Sequence, residues 1–276
     1  MSAYRNALVV IGAGGMGLAI AKRLGSGQRV VLADYSQKAL DTAAESLRDH
    51  GHEVEARIVD VSSYESVSEL ARFAAATGQV NTVVNTAGIS PNMGTAKQIY
   101  EIDLLGTAHV IDAFVQVMAP GSSLICIASL AGHMGAQAVS AELELHLATA
   151  PRDKLLDHPE IDLNGFPALA YSVAKKGNMV RVQAGARAGQ RNGVRVNSIS
   201  PGVIATAMVR CELQSEGGGA AIRGLIENSP IPRAGTADDV ANVVAFLASS
   251  DACYIDGTDI LVDGGALAGY RYQATA

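Results

Sequence analysis

The stretch ALVVIGAGGMGLAIAKRL, residues 7–24, joins a short apolar run to a glycine-rich turn and a helical pattern. The apolar run, residues 7–11, has the length of a strand and carries no polar side chain, as expected of a strand buried on both faces of a parallel sheet. The residues after the turn, Gly15–Leu24, predict a helix. The stretch therefore predicts a strand, a tight turn and a helix, the first half of a βαβ unit.

The turn itself contains Gly12, Gly14, Gly15 and Gly17, with Met16 among them. Glycine permits a tight turn, lets the backbone approach a pyrophosphate and brings the helix close to the strand. The free N–H groups and partial positive charge of a helix N-terminus attract phosphate. We therefore expect this turn to bind the pyrophosphate of a dinucleotide.

Asp34 ends the second expected strand, about 20 residues after Gly14, which is the spacing of an acid that binds the ribose. A carboxylate accepts a hydrogen bond from the ribose 2′-hydroxyl, but it repels a 2′-phosphate by about 4 kcal/mol at about 4 Å. Neither Ala13–Met16 nor Tyr35–Gln37 contains an Arg or Lys to offset this repulsion. The sequence thus predicts NAD rather than NADP; the alternative for Asp34 is a turn or helix-cap carboxylate.

Strand-like and helical patterns alternate along the rest of the chain. The expected strands are Ala7–Ile11, Val30–Ala33, Ala56–Val59, Val80–Val84, Ser123–Ala128, Val194–Ile199 and Asp259–Val262. The expected helices after Gly15–Leu24 are Gln37–Asp49, Tyr64–Thr77, Thr95–Met118, Leu169–Arg191 and Ala237–Ala248. This rhythm predicts an α/β, doubly wound Rossmann fold with one parallel sheet of about seven strands and helices on both faces, in one domain over residues 1–276.

Composition excludes several classes of protein. The net charge is −6, aromatic residues make up 4%, and Lys and Arg are scattered, so we expect no nucleic-acid partner. No stretch has the length of a membrane span or the pattern of a signal peptide, which predicts a cytoplasmic protein. The six histidines and the single cysteines Cys126, Cys211 and Cys253 show no ligand spacing, so we expect no metal and three buried thiols.

Small and polar residues follow the expected strands. They are Asp60-Val61 after the third strand, Asn85-Thr86-Ala87-Gly88 after the fourth, Ser129 after the fifth and Pro201-Gly202 after the sixth. In an open α/β sheet, ligands bind at the carboxyl ends of the strands. We therefore expect these residues to line one site.

Tyr171 and Lys175 are four residues apart on the expected helix, so that they share a face. A free tyrosine has a pKa of about 10, and a lysine cation beside it favours the phenolate; a drop of about 2–3 units corresponds to roughly 3–4 kcal/mol. Tyr171 is then suited to give a proton to a carbonyl oxygen or to take one from an alcohol. Ser129 is expected to hydrogen-bond the same oxygen.

This ordered set resembles the classical short-chain dehydrogenase/reductase family, from residue 7 to residue 265 and including Asp256-Gly257-Thr258 and Val262-Asp263-Gly264-Gly265. The resemblance implies an enzyme that moves a hydride between NAD and a secondary alcohol or ketone, working as a homodimer or homotetramer. It also implies that Lys175 holds the nicotinamide ribose.

The resemblance assigns the other sites as well. The catalytic residues that it implies are Ser129, Tyr171, Lys175 and, in place of the usual Asn, Asp103. The cofactor residues that it implies, together with the turn and the ribose acid, are Gly12, Gly14, Gly15, Met16, Gly17, Asp34, Tyr35, Asp60, Val61, Asn85, Ala87, Gly88, Tyr171, Lys175, Pro201, Gly202, Val203 and Thr206. Of these, Pro201 to Val203 and Thr206 are expected near the nicotinamide.

Three features depart from the family pattern. The glycine turn is one residue shorter than usual, with Ile11 where a Thr is common. Asp103 replaces an Asn. It either pairs with Lys175 or holds water, in which case its negative charge opposes phenolate formation, or it is a polar residue that kinks its helix. Tyr171 follows Ser129 by more than forty residues instead of about a dozen, because of an insertion at about 134–167.

Two long segments are expected around the site. The insertion at about 134–167 either covers the substrate or contacts a neighbouring subunit. A substrate loop is expected at about 202–229, with a helix broken at Glu216–Gly219. Two other functions stay open: a non-catalytic NAD-binding sensor or scaffold, and an enzyme similar to sugar-nucleotide epimerases.

Overall fold

Seven parallel strands form one sheet in the computed structural model, which describes residues 6–135, 139–214 and 218–272. The strands are β1 (Asn6–Ile11), β2 (Arg29–Asp34), β3 (Val54–Ile58), β4 (Gln79–Asn85), β5 (Ser123–Ile127), β6 (Arg195–Pro201) and β7 (Asp259–Val262). Their spatial order is β3-β2-β1-β4-β5-β6-β7. The order reverses between β1 and β4, and such a switch point is where open α/β sheets bind ligands.

Helices cover both faces of the sheet, as the βαβ pattern predicts. They are α1 (Gly15–Leu24), α2 (Gln37–Asp49), α3 (Tyr64–Thr77), α4 (Ala96–Ile99), α5 (Gly106–Phe114), α6 (Leu130–Met134), α7 (Ala141–Thr149), α8 (Pro167–Gln190), α9 (Ala207–Leu213), α10 (Gly218–Glu227), α11 (Ala237–Ala248) and α12 (Ala266–Arg271). Helices α1, α2 and α11 pack on one face, and α3, α5 and α8 on the other. The predicted Rossmann fold is therefore confirmed.

The helix predicted over residues 95–118 is wrong in its middle. Thr95 caps α4 by accepting a hydrogen bond from the Gln98 amide, but Tyr100–Leu105 form a π-helix before α5 begins. A π-turn adds a residue to the helical turn and is frequent at functional sites. It carries the fully buried Asp103.

Other boundaries and burials differ from the sequence prediction. The third strand, Val54–Ile58, begins two residues earlier than expected. Cys126 is buried, but Cys211 and Cys253 are exposed, so the expectation of three buried thiols is wrong for two of them. Both exposed cysteines lie in surface segments, next to apolar residues rather than among them. Among the residues that the structure describes, no helix has the length and apolar character needed to cross a membrane.

The described part of the insertion packs against the body of the fold. Leu143 and Leu147 of α7 are buried, as is Leu155, and they share a cluster with Tyr100 and Leu104 beside α8. Residues 136–138 of the insertion and residues 215–217 of the substrate loop, where the helix break was expected, lie outside the described residues; α10 begins at Gly218.

Arg181 of α8 joins the insertion to the fold. Its Nη1 donates to the carbonyl oxygens of Leu147 (3.2 Å), Ala148 (3.4 Å) and Ala150 (2.7 Å), at the C-terminal end of α7. The last carbonyls of a helix have no partner within the helix, so a buried guanidinium satisfies them here. The insertion is thus anchored to the helix that also carries Tyr171 and Lys175.

We expect Arg181→Met to lower the free energy of unfolding by about 2–4 kcal/mol, because buried carbonyls lose a charged donor. Urea denaturation measures the change. Arg187→Met is the matched control, since Arg187 is exposed on the same helix and its loss is expected to have little effect. Equal stability of both variants would show that Arg181 does not anchor the insertion.

Candidate active site

The glycine turn after β1 is shaped by close backbone approaches. Gly12 has a φ of +102°, which side chains rarely adopt, and a Cβ there would clash with Thr86 Oγ1. A Cβ at Gly17 would overlap the Gly12 carbonyl oxygen, whereas nothing lies within 4 Å of the Cβ position at Gly14. The turn is therefore tight on its inner side and open on its outer side, where a ligand can approach.

A cleft of about 600 Å³ lies at the switch point between β1 and β4. The predicted cofactor residues that line it are Gly12, Gly14, Gly15, Met16, Gly17, Asp34, Tyr35, Asp60, Val61, Ala87, Gly88 and Thr206. Helix α1 starts at the cleft with no capping side chain and no acid in its first turn, so its first N–H groups are available to an anion. The volume is that of a typical small-molecule or cofactor site.

Asp34 fixes the turn and sets the charge of the cleft. Its Oδ2 accepts a hydrogen bond from the Ala13 amide (2.6 Å) and its Oδ1 accepts one from the Ser36 amide (2.7 Å). A carboxylate has about four acceptor positions, so two remain for hydroxyl groups. Among the residues found to line the cleft there are Asp34, Asp60 and Glu101 but no Lys or Arg.

Six predicted cofactor residues do not line this cleft: Tyr171 and Lys175, which are described below, and Asn85, Pro201, Gly202 and Val203. Asn85 lies beneath it and accepts a hydrogen bond from the Ala87 amide through Oδ1 (3.3 Å). Pro201 ends β6 and is buried, while Gly202 and Val203 line a second cavity of about 210 Å³. The structure thus brings together the residues that follow β1 to β4, and it separates them from most of those that follow β6.

A buried ion pair lies next to the cleft. Lys175 Nζ is 3.1 Å from Asp103 Oδ2, and the exposed fractions of the two residues are 4% and 0%. Asp103 Oδ1 accepts a hydrogen bond from the Ile89 amide (2.8 Å), and both Ile89 and Gly88 line the cleft. A Cβ at Gly88 would lie 3.2 Å from both Lys175 Nζ and Asp103 Oδ2, so a glycine at this position leaves room for the pair.

The electrostatics of the pair follow from its burial. Burial by itself lowers the pKa of Lys175, but the charges of Asp103 and Tyr171 hold that pKa above its ordinary value. Burial raises the pKa of Asp103, and the charge of Lys175 and the Ile89 amide oppose the rise. Asp103 therefore does more than kink its helix, because it is the counter-ion of Lys175.

Tyr171 lies on the same helix with Lys175 Nζ 5.4 Å from the centroid of its ring. Burial raises the pKa of the Tyr171 phenol; the charge of Lys175 and a hydrogen bond with Ser129 lower it, but they do not overcome the burial. The expectation of a pKa below the ordinary value is therefore wrong for the protein as described. Tyr171 is a proton donor at neutral pH.

Ser129 is held beside Tyr171 by helix packing. It is the N-cap of α6, and its Oγ accepts a hydrogen bond from the Ala131 amide (3.1 Å). Gly132 brings α6 against α8, since a Cβ at that position would lie 2.8 Å from the backbone carbon of Lys175. The contact between α6 and α8 sets the Ser129 hydroxyl against the phenol.

Two residues near the site make contacts that the sequence analysis did not predict. Thr86 donates from Oγ1 to the carbonyls of Ile11 (3.0 Å) and Gly12 (3.1 Å), which joins β4 to the glycine turn. His133 pairs its Nε2 with Asp259 Oδ2 (2.8 Å). The position of Thr86 after a strand was a usable signal, whereas nothing local indicates the contact across to β7.

The side chains of the described residues form no metal site. In residues 6–135, 139–214 and 218–272, no group of three or more His, Cys, Asp or Glu has the arrangement of metal ligands. The polar groups beside the cleft are the phenol of Tyr171, the ammonium of Lys175 and the hydroxyl of Ser129.

Two family models match the chain. One described as short chain dehydrogenase matches residues 5–141, and one described as enoyl-(acyl carrier protein) reductase matches residues 163–266. A short-chain dehydrogenase/reductase of Alternaria brassicicola, bsc3, is 40% identical over 274 residues, and the match covers 96% of each chain. The 7alpha-hydroxysteroid dehydrogenase of Bacteroides fragilis is 28% identical over 284 residues, again with 96% of each chain covered.

Further similarity comes from another relative and a solved structure. The cis-4-hydroxycyclohexanecarboxylate dehydrogenase of Sinomonas cyclohexanicum is 30% identical over 276 residues, with 95% of this chain and 96% of that one covered. The structure of levodione reductase superposes with a TM-score of 0.76 at 25% identity, covering 96% of this chain and 98% of that chain. These matches are with dehydrogenases and reductases, and they favour neither a scaffold nor an epimerase.

We expect Asp103→Asn to raise the pKa of Tyr171, because Lys175 without its counter-ion loses its charge in the buried site. The loss of this cation outweighs the loss of the Asp103 charge, since Lys175 acts on the pKa of Tyr171 more strongly than Asp103 does. The alkaline rise of tyrosinate absorbance, corrected with a Tyr171→Phe variant, measures the midpoint. Asp112→Asn is the control, since Asp112 lies further along the same helical segment and pairs with Arg152 (3.4 Å). An unchanged or lower midpoint in Asp103→Asn would contradict the electrostatic assignment.

Proposed function

The chain belongs to the short-chain dehydrogenase/reductase family, and from that membership we propose that it moves a hydride between NAD and a secondary alcohol or ketone, with Tyr171 as general acid and base. The observation that carries this proposal is the buried pair of Asp103 and Lys175, 3.1 Å apart beside the Tyr171 ring. A buried cation next to a phenol is the arrangement that lets a tyrosine exchange a proton with substrate.

The side chains divide the work at the substrate oxygen. Tyr171 gives its proton to the oxygen when a ketone is reduced, and it takes the proton when an alcohol is oxidised. Ser129 donates a hydrogen bond to the same oxygen and stabilises its developing negative charge. Lys175 stabilises the phenolate that remains. Because burial keeps the pKa of Tyr171 above its ordinary value, the phenol at neutral pH is in the protonated form that ketone reduction requires.

The cleft fits a nicotinamide dinucleotide. The open outer side of Gly14 and the uncapped start of α1 suit a pyrophosphate, and Asp34 has acceptor positions left for ribose hydroxyls. When bound, the nicotinamide supplies or accepts the hydride. We propose NAD, because three acids and no Lys or Arg are among the residues that line the cleft.

We propose the roles of the remaining cofactor residues from the same family membership. Lys175 binds the nicotinamide ribose, Asp60, Ala87 and Gly88 border the adenine and ribose, and Thr206 borders the nicotinamide end of the cleft. The segment from Pro201 to Val203 packs against the nicotinamide only if the ligand reaches past Thr206. Assembly as a homodimer or homotetramer is tested by light scattering after gel filtration.

For the substrate we propose a ring-bearing secondary alcohol or its ketone. The support is that three of the similar proteins are named for such compounds: a hydroxysteroid, a hydroxycyclohexanecarboxylate and levodione. Loss of NADH absorbance with a panel of cyclic ketones, and with diacetyl as an acyclic comparison, tests the class. Turnover of diacetyl alone would contradict the proposed ring preference.

We expect wild-type protein to bind NADH at least tenfold more tightly than NADPH, and Asp34→Asn to reduce this preference at least tenfold. The asparagine oxygen keeps an acceptor for the Ala13 amide while the charge is lost, but its Nδ2 cannot accept the hydrogen bond from the Ser36 amide. Nicotinamide fluorescence measures both affinities, and Asp41→Asn, an exposed change on α2, is the control. A preference for NADPH in the wild type would exclude the assignment of NAD.

We expect Tyr171→Phe to reduce ketone turnover by about 10²–10⁴-fold with NADH affinity nearly unchanged, because only the exchangeable proton is removed. Turnover is followed by NADH absorbance and affinity by fluorescence. Tyr254→Phe is the matched control, since Tyr254 is fully exposed. Normal turnover by the Tyr171 variant would rule out the phenol as the acid.

A further inference from the structure

One buried polar side chain has no partner and lies close to the site. Asn178 is on α8, three residues after Lys175, and only 1% of its surface is exposed. Among the residues that the structure describes, neither its Nδ2 nor its Oδ1 has a hydrogen-bond partner. A buried amide without partners is costly, and such groups are rare in folded proteins. An apolar residue of similar size would fit this position with less cost, so the asparagine calls for an explanation.

The position of Asn178 follows from its neighbours on the helix. Lys175, one helical turn before Asn178, pairs with Asp103 on the π-helix. Lys175 also lies near Cys126 of β5, since burial raises the pKa of the Cys126 thiol and the charge of Lys175 opposes that rise. Val182, the next turn, belongs to the same buried cluster as Cys126. Asn178 therefore lies on the inward side of α8, between the ion pair and the apolar core.

The polar side chains that connect to Asp103 are hydrogen-bonded. Thr107 donates from Oγ1 to the Asp103 carbonyl oxygen (2.8 Å), and Asn85 donates from Nδ2 to Thr107 Oγ1 (3.4 Å). Asp103 Oδ2 lies 3.1 Å from Lys175 Nζ, which also donates a hydrogen bond to the Ile127 carbonyl oxygen (3.5 Å). Beside the ion pair, the described side chain with both polar atoms left without a partner is therefore Asn178.

We propose that Asn178 is a positioning residue that holds an internal water, and that this water hydrogen-bonds the Asp103–Lys175 pair and keeps it charged. The inference rests on the proposed function and deepens it. An amide supplies two donors and an acceptor, and a buried water needs two to four polar partners. The amide, the Asp103 carboxylate and the Lys175 ammonium supply them.

The pKa of Tyr171 depends on whether the Asp103–Lys175 pair stays charged. A buried ion pair persists only when hydrogen bonds satisfy its remaining donors and acceptors. Without the amide and its water, the proton shifts from Lys175 towards Asp103 and both groups become neutral. Tyr171 then loses the Lys175 cation, which lowers its pKa, and the Asp103 charge, which raises it. The effect of Lys175 is the larger of the two, so the Tyr171 proton is released at higher pH. The midpoint of alcohol oxidation against pH is therefore expected to move upwards.

A crystal structure of the wild-type protein at high resolution is the first test. The expected result is a water hydrogen-bonded to the Asn178 amide and within hydrogen-bond distance of Asp103 or Lys175. Density that shows the amide dry, or bonded directly to protein atoms alone, would overturn the proposal. This readout is independent of activity, so it stands even if the proposed substrate class is wrong.

The second test is Asn178→Leu, which removes both polar atoms at similar volume. We expect the thermal midpoint of unfolding to equal or exceed that of the wild type. We also expect the pH midpoint of kcat/KM for cyclohexanol oxidation to rise by about one unit, which makes oxidation about tenfold slower below the midpoint. Asn178→Ser, which keeps a polar group and leaves space for water, is expected to restore most of the wild-type profile.

Met179→Leu is the matched control, because Met179 is the next buried residue on α8 and this swap removes no hydrogen bond. A stable Asn178→Leu protein with the wild-type profile would overturn the proposal and leave the amide a structural residue. Should the leucine variant not fold, Asn178→Val takes its place with the same criteria. Absence of any oxidation by the wild type would instead count against the proposed function and leave the crystallographic test in force.

Discussion

The buried ion pair between Asp103 and Lys175 is the interaction on which the rest of the site depends. A lysine ammonium is stable inside a protein only beside a counter-charge, and Asp103 supplies that charge at 3.1 Å. The π-helix brings Asp103 inwards, and Gly88 leaves the space that the pair needs. The cation in turn lies beside the Tyr171 ring. The π-helix, the absence of a Cβ at Gly88 and burial together therefore determine the charge state of Lys175.

The same packing joins the ion pair to the cleft. Gly88 and Ile89 border the cleft on one side and contact Asp103 on the other, so a ligand in the cleft lies one residue from the pair. The turn after β1 is tied to β4 by Thr86 and to β2 by Asp34. The switch point of the sheet therefore holds the dinucleotide end and the proton-transfer end in one rigid frame. The insertion, through Arg181, is fastened to the same helix α8.

The sequence predicted the features that have a local cause. The glycine turn and the alternation of strands and helices follow from patterns within a few residues, and the family follows from the order of such motifs along the chain. The structure and the comparisons confirm the fold and the family. The sequence did not predict the features that depend on contacts between residues far apart in the chain. The π-turn at Tyr100–Leu105 and the burial of Asn178 depend on contacts with other elements, as do the exposure of Cys211 and the path of Gly202 and Val203 into a second cavity. Burial also outweighed the neighbouring charge at Tyr171, which spacing cannot reveal.

The most direct test of this account is the protonation state of the Lys175 side chain, read by nitrogen-15 NMR of lysine-labelled protein and assigned with a Lys175→Met variant. The account predicts an ammonium that persists from neutral pH well into the alkaline range, because Asp103 holds the pKa of Lys175 above its ordinary value. A neutral amine at Lys175 near neutral pH would contradict it, since no cation would then stand beside Tyr171.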